Sequence, residues 1–186
     1  MDTRAAMDNR KMILVVNHNP DWAKCFEQEA NRIRLVLGDT VVQIHHIGST
    51  AISHTKAKPV IDMLLELSSL DSFDQKSPLL AAAGYELKGE FGISGRRYFR
   101  RNDAAGQRTH QIHAFEAGVQ NVIRHIAFRD YMRAHPVIAI EYGQLKQGLA
   151  EQNPDDMEAY IEGKDAFVKE HERRALLWAS TVPARS

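Results

Sequence analysis

The first clear apolar run lies between Asn19-Pro20 and Gly38. Within it Trp22, Phe26, Ala30, Ile33 and Leu37 recur at intervals of four, four, three and four. That spacing lays one stripe along a helix, with an Asn-Pro start and a glycine stop. Cys25 lies beside the stripe and is expected in the core. Val41 to Ile47 is rich in β-branched residues and reads as a strand ending at Gly48-Ser49-Thr50. Val60 to Leu67 is almost continuously apolar, as in a central strand covered on both faces; Asp62 is the exception. Residues 78–84 read as a helix stopped by Gly84. Arg97 to Arg101 and Thr109 to Glu116 pair as a hairpin across the polar loop Asn102 to Gln107. After Gly118 the period becomes helical. Val119, Val122, Ile123, Ile126 and Ala134 share a face until Pro136; Ile138, Tyr142, Leu145 and Leu149 form a second stripe. Asn153-Pro154 is expected to cap a third helix carrying Tyr160, Ile161, Lys164, Phe167 and Val168.

The order helix, strand, strand, helix, hairpin and three helices predicts an α/β (α+β) fold. It has a small mixed β-sheet, packed helices and a C-terminal helical segment. The 186 residues suffice for one core, so residues 15–180 are expected to form a single domain. Residues 1–14 are expected to be a flexible tail, in which Met1, Met7 and Met12 are each a potential start.

Charge narrows the function classes. Lys plus Arg and Asp plus Glu are both 24, so no global field draws the chain to nucleic acid or anionic lipid. A local basic run remains: Arg96, Arg97, Arg100, Arg101 and Arg108, opposed by Asp103. It reads either as a phosphate receiver or as a solvated strand edge. Cys25 is the single cysteine, which excludes an internal disulfide or a thiolate zinc cluster and fits a reducing cytoplasm. No apolar run approaches the roughly 18 residues needed to span a bilayer.

The segment that bears chemistry is Ile47-Gly48-Ser49, followed after a spacer by Asp62. A glycine turn at a strand end exposes backbone N–H groups to a phosphate, and Ser49 and Thr50 add hydroxyls. Asp62 on an apolar strand must pair, accept hydrogen bonds or bind a cation, and Mg2+ is the natural ion beside a nucleotide's phosphates. The alternative is a structural carboxylate accepting backbone N–H groups. Alternation along a strand sends His45 and His46, and likewise His110 and His113, to opposite faces, so neither pair chelates as a unit. His113 could still complete a ligand set or act as general base, and a hydrogen-bonded core histidine is the competing reading. Lys58, Arg97, Arg129 and Lys164 are further candidate phosphate receivers; Arg129 beside Asp130 also suits a structural ion pair.

Hydrophobic-Gly-Ser, a short spacer and a strand aspartate together resemble the nucleotidyltransferase superfamily signature. The chain is more closely similar to the GrpB family, through His46-Ile47-Gly48-Ser49-Thr50-Ala51, Ala57-Lys58-Pro59-Val60-Ile61-Asp62, Thr109-His110-Gln111-Ile112-His113 and Ala127-Phe128-Arg129-Asp130-Tyr131-Met132-Arg133. His135-Pro136, Tyr142, Leu145, Lys146, Tyr160 and Lys164 continue the match. The resemblance implies a nucleotidyltransferase fold in which Gly48-Ser49 holds the phosphates of a nucleotide and Asp62 holds Mg2+. It implies transfer of a nucleoside monophosphate to a small acceptor, or a binding module that has lost that chemistry. Fusion of this family to dephospho-coenzyme A kinase in some bacteria implies a role near nucleotide metabolism. One departure weighs on activity: the superfamily's second acidic position holds Leu64, and Glu66 on the same strand is about 13 Å from Asp62. A second departure is Ile52-Ser53-His54-Thr55, where relatives tend to have a Val-Pro-Gly-Leu-like loop. A metal-dependent hydrolase using His113 or His46 with Asp62 is a third reading. Nucleic acid is not an expected partner.

Overall fold

The computed structural model describes residues 12–181. Most of the expected tail therefore lies outside the described residues; Ile13 is buried against Ala150 and Tyr160. Helix α1 (Asp21–Leu37) buries Trp22, Phe26, Ala30, Ile33 and Leu37, the whole expected stripe. Asn19 starts it, its Oδ1 accepting the Asp21 N–H at 2.9 Å. Cys25 is exposed, contrary to expectation. One residue before Phe26, it is turned about 100° from that side chain on the helix and so points away from the sheet.

Five strands follow in the order β1-β2-β5-β4-β3. They are β1 (Val41–Ile47), β2 (Ile61–Leu67), β3 (Glu86–Leu87), β4 (Arg97–Asn102) and β5 (Arg108–Glu116). β2 and β5 run parallel and the other neighbours antiparallel. The central pair thus carries the apolar side chains on both faces that β2's sequence demands.

One face of the sheet is covered by α1 with α2 (Leu70–Lys76) and α3 (Pro78–Ala82), enclosing Met63, Leu65, Leu67, Ile112 and Phe99. The expected helix at 78–84 is α3; α2 and β3 were not foreseen. The α2 segment buries Phe73 in the core with Leu70 packed at its edge, and its start depends on the Ser69 hydroxyl accepting the Ser72 N–H at 3.2 Å.

On the opposite face α4 (Gln120–Ala134) packs Val122 and Ile126 against Ile47, Leu64 and Phe115. Ile123 turns outward and is exposed. Helices α5 (Pro136–Gln152) and α6 (Met157–Thr181) complete the C-terminal layer around Tyr131, Met132, Tyr142 and Ala175. Asn153 does not cap α6. It closes α5, its N–H and side-chain amide both donating to the Leu149 carbonyl, while Asp156 accepts the Ala159 N–H and starts α6. Among the described residues no helix is long and apolar enough to cross a membrane.

Candidate functional site

The strand registers align two rows of residues on the α4 face. Ile47, Asp62, Gln111 and Arg100 are successive partners across β1, β2, β5 and β4; His45, Leu64, His113 and Tyr98 form the next row. Gly48 follows directly on Ile47. Its φ is +67°, and a Cβ added there would lie 2.4 Å from Asp62 Oδ2. Glycine is therefore required twice over, by backbone conformation and by the carboxylate packed on it. This contact puts Ser49 and Asp62 side by side.

Thr50 turns inward instead. Its hydroxyl donates to the Val60 carbonyl at 3.1 Å, so it accepts from His46 Nε2–H at 3.0 Å. Burial brings His46 down to about 4, Asp62 opposing that fall, and the neutral ring stacks on Phe26. Thr50 and His46 are thus a strut tying the turn to the entry of β2. The Thr50 hydroxyl is spent on these two bonds.

The C-terminal helices bring in the charge. Lys146, only 2% exposed, donates from Nζ to Ser49 Oγ at 2.6 Å and lies 4.2 Å over the Tyr142 ring. Lys58 and Lys164 share the Tyr160 ring, at 5.1 and 5.6 Å from its centroid. Burial lowers all three ammonium groups and brings Lys146 to about 7, with Lys164 and Lys58 adding to the fall and Asp62 resisting it. Asp62 is the carboxylate felt by all three. The approach of α5 depends on Gly143, where a Cβ would lie 2.6 Å from the Lys56 backbone nitrogen. Lys146 was not among the expected site residues. The signal was present: α5 buries Ala139, Tyr142, Gly143, Lys146 and Ala150, so a lysine occupies a core-facing helical position.

On the far side of Asp62, His113 Nε2 is 3.9 Å from Asp62 Oδ1. His113 Nδ1 faces Arg96 Nη1 at 3.4 Å. A guanidinium can only donate, so Nδ1 accepts and the ring proton sits on Nε2, toward Asp62. Tyr98 donates its hydroxyl to Gln111 Oε1 at 2.7 Å. His110 is on the other face with Arg101, and His45 pairs with Glu66 at 2.6 Å, so the opposed histidine faces are as expected.

Two expected ligand residues are elsewhere. Strand alternation splits the arginine run: Arg97 points to the α1 face, where it holds both carboxylate oxygens of Asp74 at 2.7 and 2.6 Å. Arg129 pairs with Asp130 at 2.7 Å and donates to the His46 carbonyl at 3.2 Å. It lines an open cavity of about 270 Å³ that includes none of Gly48, Ser49, Asp62 or the three lysines. Both arginines have structural partners.

For magnesium, the hard donors nearest one another are the Asp62 carboxylate, the Gln111 amide oxygen one strand away and the Ser49 hydroxyl next to Gly48. Among the described residues no group of three His, Cys, Asp or Glu could hold a metal. Leu64, fully buried under α4, fills the place of a second carboxylate. The set fits one ion that takes most of its ligands from water and a bound phosphate, and it does not fit a two-ion centre.

The sequence profile of the family described as "GrpB protein" matches residues 12–174. The chain is 46% identical over 169 residues to the UPF0157 protein YqkA of Bacillus subtilis, covering 91% of this chain and 49% of that protein. It thus spans about half the length of that relative. Its structure is similar to the crystal structure of conserved protein GrpB from Enterococcus faecalis, with a TM-score of 0.85 and 39% identity, covering 90% of this chain and 99% of the other. The Cid1 poly(U) polymerase with Mg 3'-dATP bound matches with a TM-score of 0.54 and 13% identity, over 80% of this chain and 49% of that one. At that identity the likeness is one of fold, and the fold is of the nucleotidyltransferase type.

Proposed function

This chain belongs to the GrpB family, and on that premise we propose that it binds a nucleotide, or another phosphorylated small molecule, in a nucleotidyltransferase-type cleft. The observation that carries this reading is the Lys146 ammonium on the Ser49 hydroxyl at 2.6 Å, with Lys58 and Lys164 sharing the adjacent Tyr160 ring. One buried and two half-buried cations repel one another and lose hydration, costs that a polyphosphate offsets by charge-assisted hydrogen bonds. Each ammonium has three N–H groups, and Lys146 uses one on Ser49. Aromatic faces under each cation keep the cluster tolerable when it is empty.

Asp62 limits the chemistry. It would hold a magnesium ion arriving with the ligand's phosphates, and the ion would neutralise charge there. His113, with its proton on Nε2, donates a hydrogen bond toward the same space. The Cid1 structure named with Mg 3'-dATP supports a nucleotide as the phosphate source.

A second reading, transfer of a nucleoside monophosphate to a small acceptor, draws on His113 Nε2 at 3.9 Å from Asp62. That proton position makes His113 a donor rather than a base, and Asp62 would have to hold the ion without a companion carboxylate. Binding is therefore preferred over turnover. Calorimetric titration with ATP and with pyrophosphate, with and without magnesium, tests the proposal; no binding of either in any condition sinks it. A nucleotide-transfer assay over a panel of small acceptors decides between the two readings. A cytoplasmic location is proposed with the nucleotide ligand, and neither a membrane nor nucleic acid is proposed as a partner.

A further inference from the structure

Arg100 stands apart from Arg96, Arg97 and Arg101 on the same strand and the turn before it. Arg97 and Arg101 are neutralised by Asp74 and Glu29 on the α1 face. Arg96 is tied down by the Glu90 and Phe91 carbonyls. Among the described residues Arg100 has no carboxylate within ion-pair distance, and its Nε is buried without a hydrogen-bond partner. Its cross-strand neighbour Glu86 is bonded to Lys88. The guanidinium is held by rings alone, 4.5 Å from the centroid of Phe91 and 5.1 Å from that of Tyr98. Burying a guanidinium donor with no acceptor is costly unless a ligand supplies one.

The rings are arranged to receive something. Phe91 is 55% exposed and stacks on Tyr98 at 5.2 Å. Its φ is +45°, a region that side chains larger than glycine seldom adopt. The buried Arg96 keeps it there by donating to the Phe91 carbonyl at 2.6 Å, while its Nη1 faces His113. The loop that presents Phe91 is thereby fastened to the site beside Asp62. Arg100 and Asp62 lie in one row of the sheet with Gln111 between them. Two strand spacings put them about 10 Å apart. Lys146 approaches Asp62 from the Gly48-Ser49 side, through its bond to Ser49.

We propose that Arg100, Phe91 and Tyr98 form a second subsite, which binds a small ring-bearing molecule through its anionic group. The Arg100 fork takes the carboxylate or phosphate, and the ring lies on the exposed face of Phe91. Resting on the phosphate-binding reading above, this subsite takes a second molecule on the opposite side of Asp62 from the polyphosphate.

The test uses pyrophosphate for the lysine side, with phenyl phosphate and benzoate as probes for the arginine side, by ligand-observed NMR and calorimetry. At saturating pyrophosphate, at least one probe is expected to bind the wild-type protein. Arg100→Gln should weaken that probe about tenfold or more, and Phe91→Ala, an exposed position, should weaken it several-fold. Both variants should retain wild-type pyrophosphate affinity, whereas Lys146→Met should lose pyrophosphate and keep the probe. Which probe binds separates carboxylate from phosphate. Competition between probe and pyrophosphate, equal probe affinity in Arg100→Gln, or no probe binding to the wild type would each overturn the subsite. Failure of both pyrophosphate and ATP, with the probe still bound, would sink the phosphate-binding reading instead, and Arg100→Gln would still report on the probe.

Discussion

The Nζ of Lys146 and the Oγ of Ser49 are 2.6 Å apart although 97 positions separate them in the chain. This bond joins helix α5 to the glycine turn of the sheet, and it places a buried cation where a phosphate is proposed to bind.

Lys146→Met is expected to lower pyrophosphate and ATP affinity about tenfold to a hundredfold, the range for removing a charged hydrogen bond. The same change removes a buried ammonium that burial has brought down to about 7, so the melting temperature should rise at pH 6 to 7. Calorimetry and thermal denaturation of the same sample measure both. A stable protein with unchanged affinity would remove Lys146 from the site.

Because Lys146 has fallen from its ordinary 10.5 to about 7, its site is largely neutral at pH 8. An arriving polyphosphate favours the charged form, so binding at pH 8 should take up a fraction of a proton approaching one. With ATP as the ligand, the terminal phosphate is almost fully ionised there and supplies almost no proton. Calorimetry in buffers of different ionisation enthalpy reads this uptake, which Lys146→Met should abolish.

Asp62→Asn should erase the gain in ATP affinity that magnesium provides while leaving the fold intact. The substitution keeps the volume against which Gly48 packs. Equal magnesium-dependent gains in the two proteins would mean that Asp62 is structural.

Leu64→Asp restores the missing acidic position only on paper. Leu64 is fully buried among Ile47, Phe115 and Val122, so the change should cost about 3 kcal/mol or more in urea unfolding. A variant as stable as wild type would show that this position can open to the cleft.

Acid should unfold the protein early. His46, His110 and His125 are each brought down by burial to about 4, from an ordinary 6.5. The unfolded chain then binds protons first, so their contribution is present above pH 6.5 and is lost as pH falls from 6.5 through 4. Equilibrium unfolding across that range should show an uptake of up to three protons, and His46→Gln should reduce it by up to one.

Periodicity was sufficient for α1, the central strand, the hairpin and the break between α4 and α5, because each is an amphipathic or doubly buried run with a local stop. It missed α2 and β3, which are short, mostly polar and held by neighbours. It placed Cys25 inside, because a position beside a stripe is undecided until the sheet's distance is known. The pairing of Gly48-Ser49 with Asp62 was legible, since one short spacer links two strands that the fold makes adjacent.

The rest of the site had no local signature. A lysine at a core-facing helix position can be read from α5, yet nothing near it in sequence names Ser49 as its partner. The arginine run from Arg96 to Arg108 looked like one patch, and strand alternation with partners on different helices divided it. Sequence by itself determined which segments are strands and helices, and that a glycine turn and a lone aspartate meet, because these follow from backbone sterics and burial along neighbouring residues. Only tertiary structure decided which cations face Asp62 and which are neutralised elsewhere, because charges act through space over distances that the order of residues does not encode.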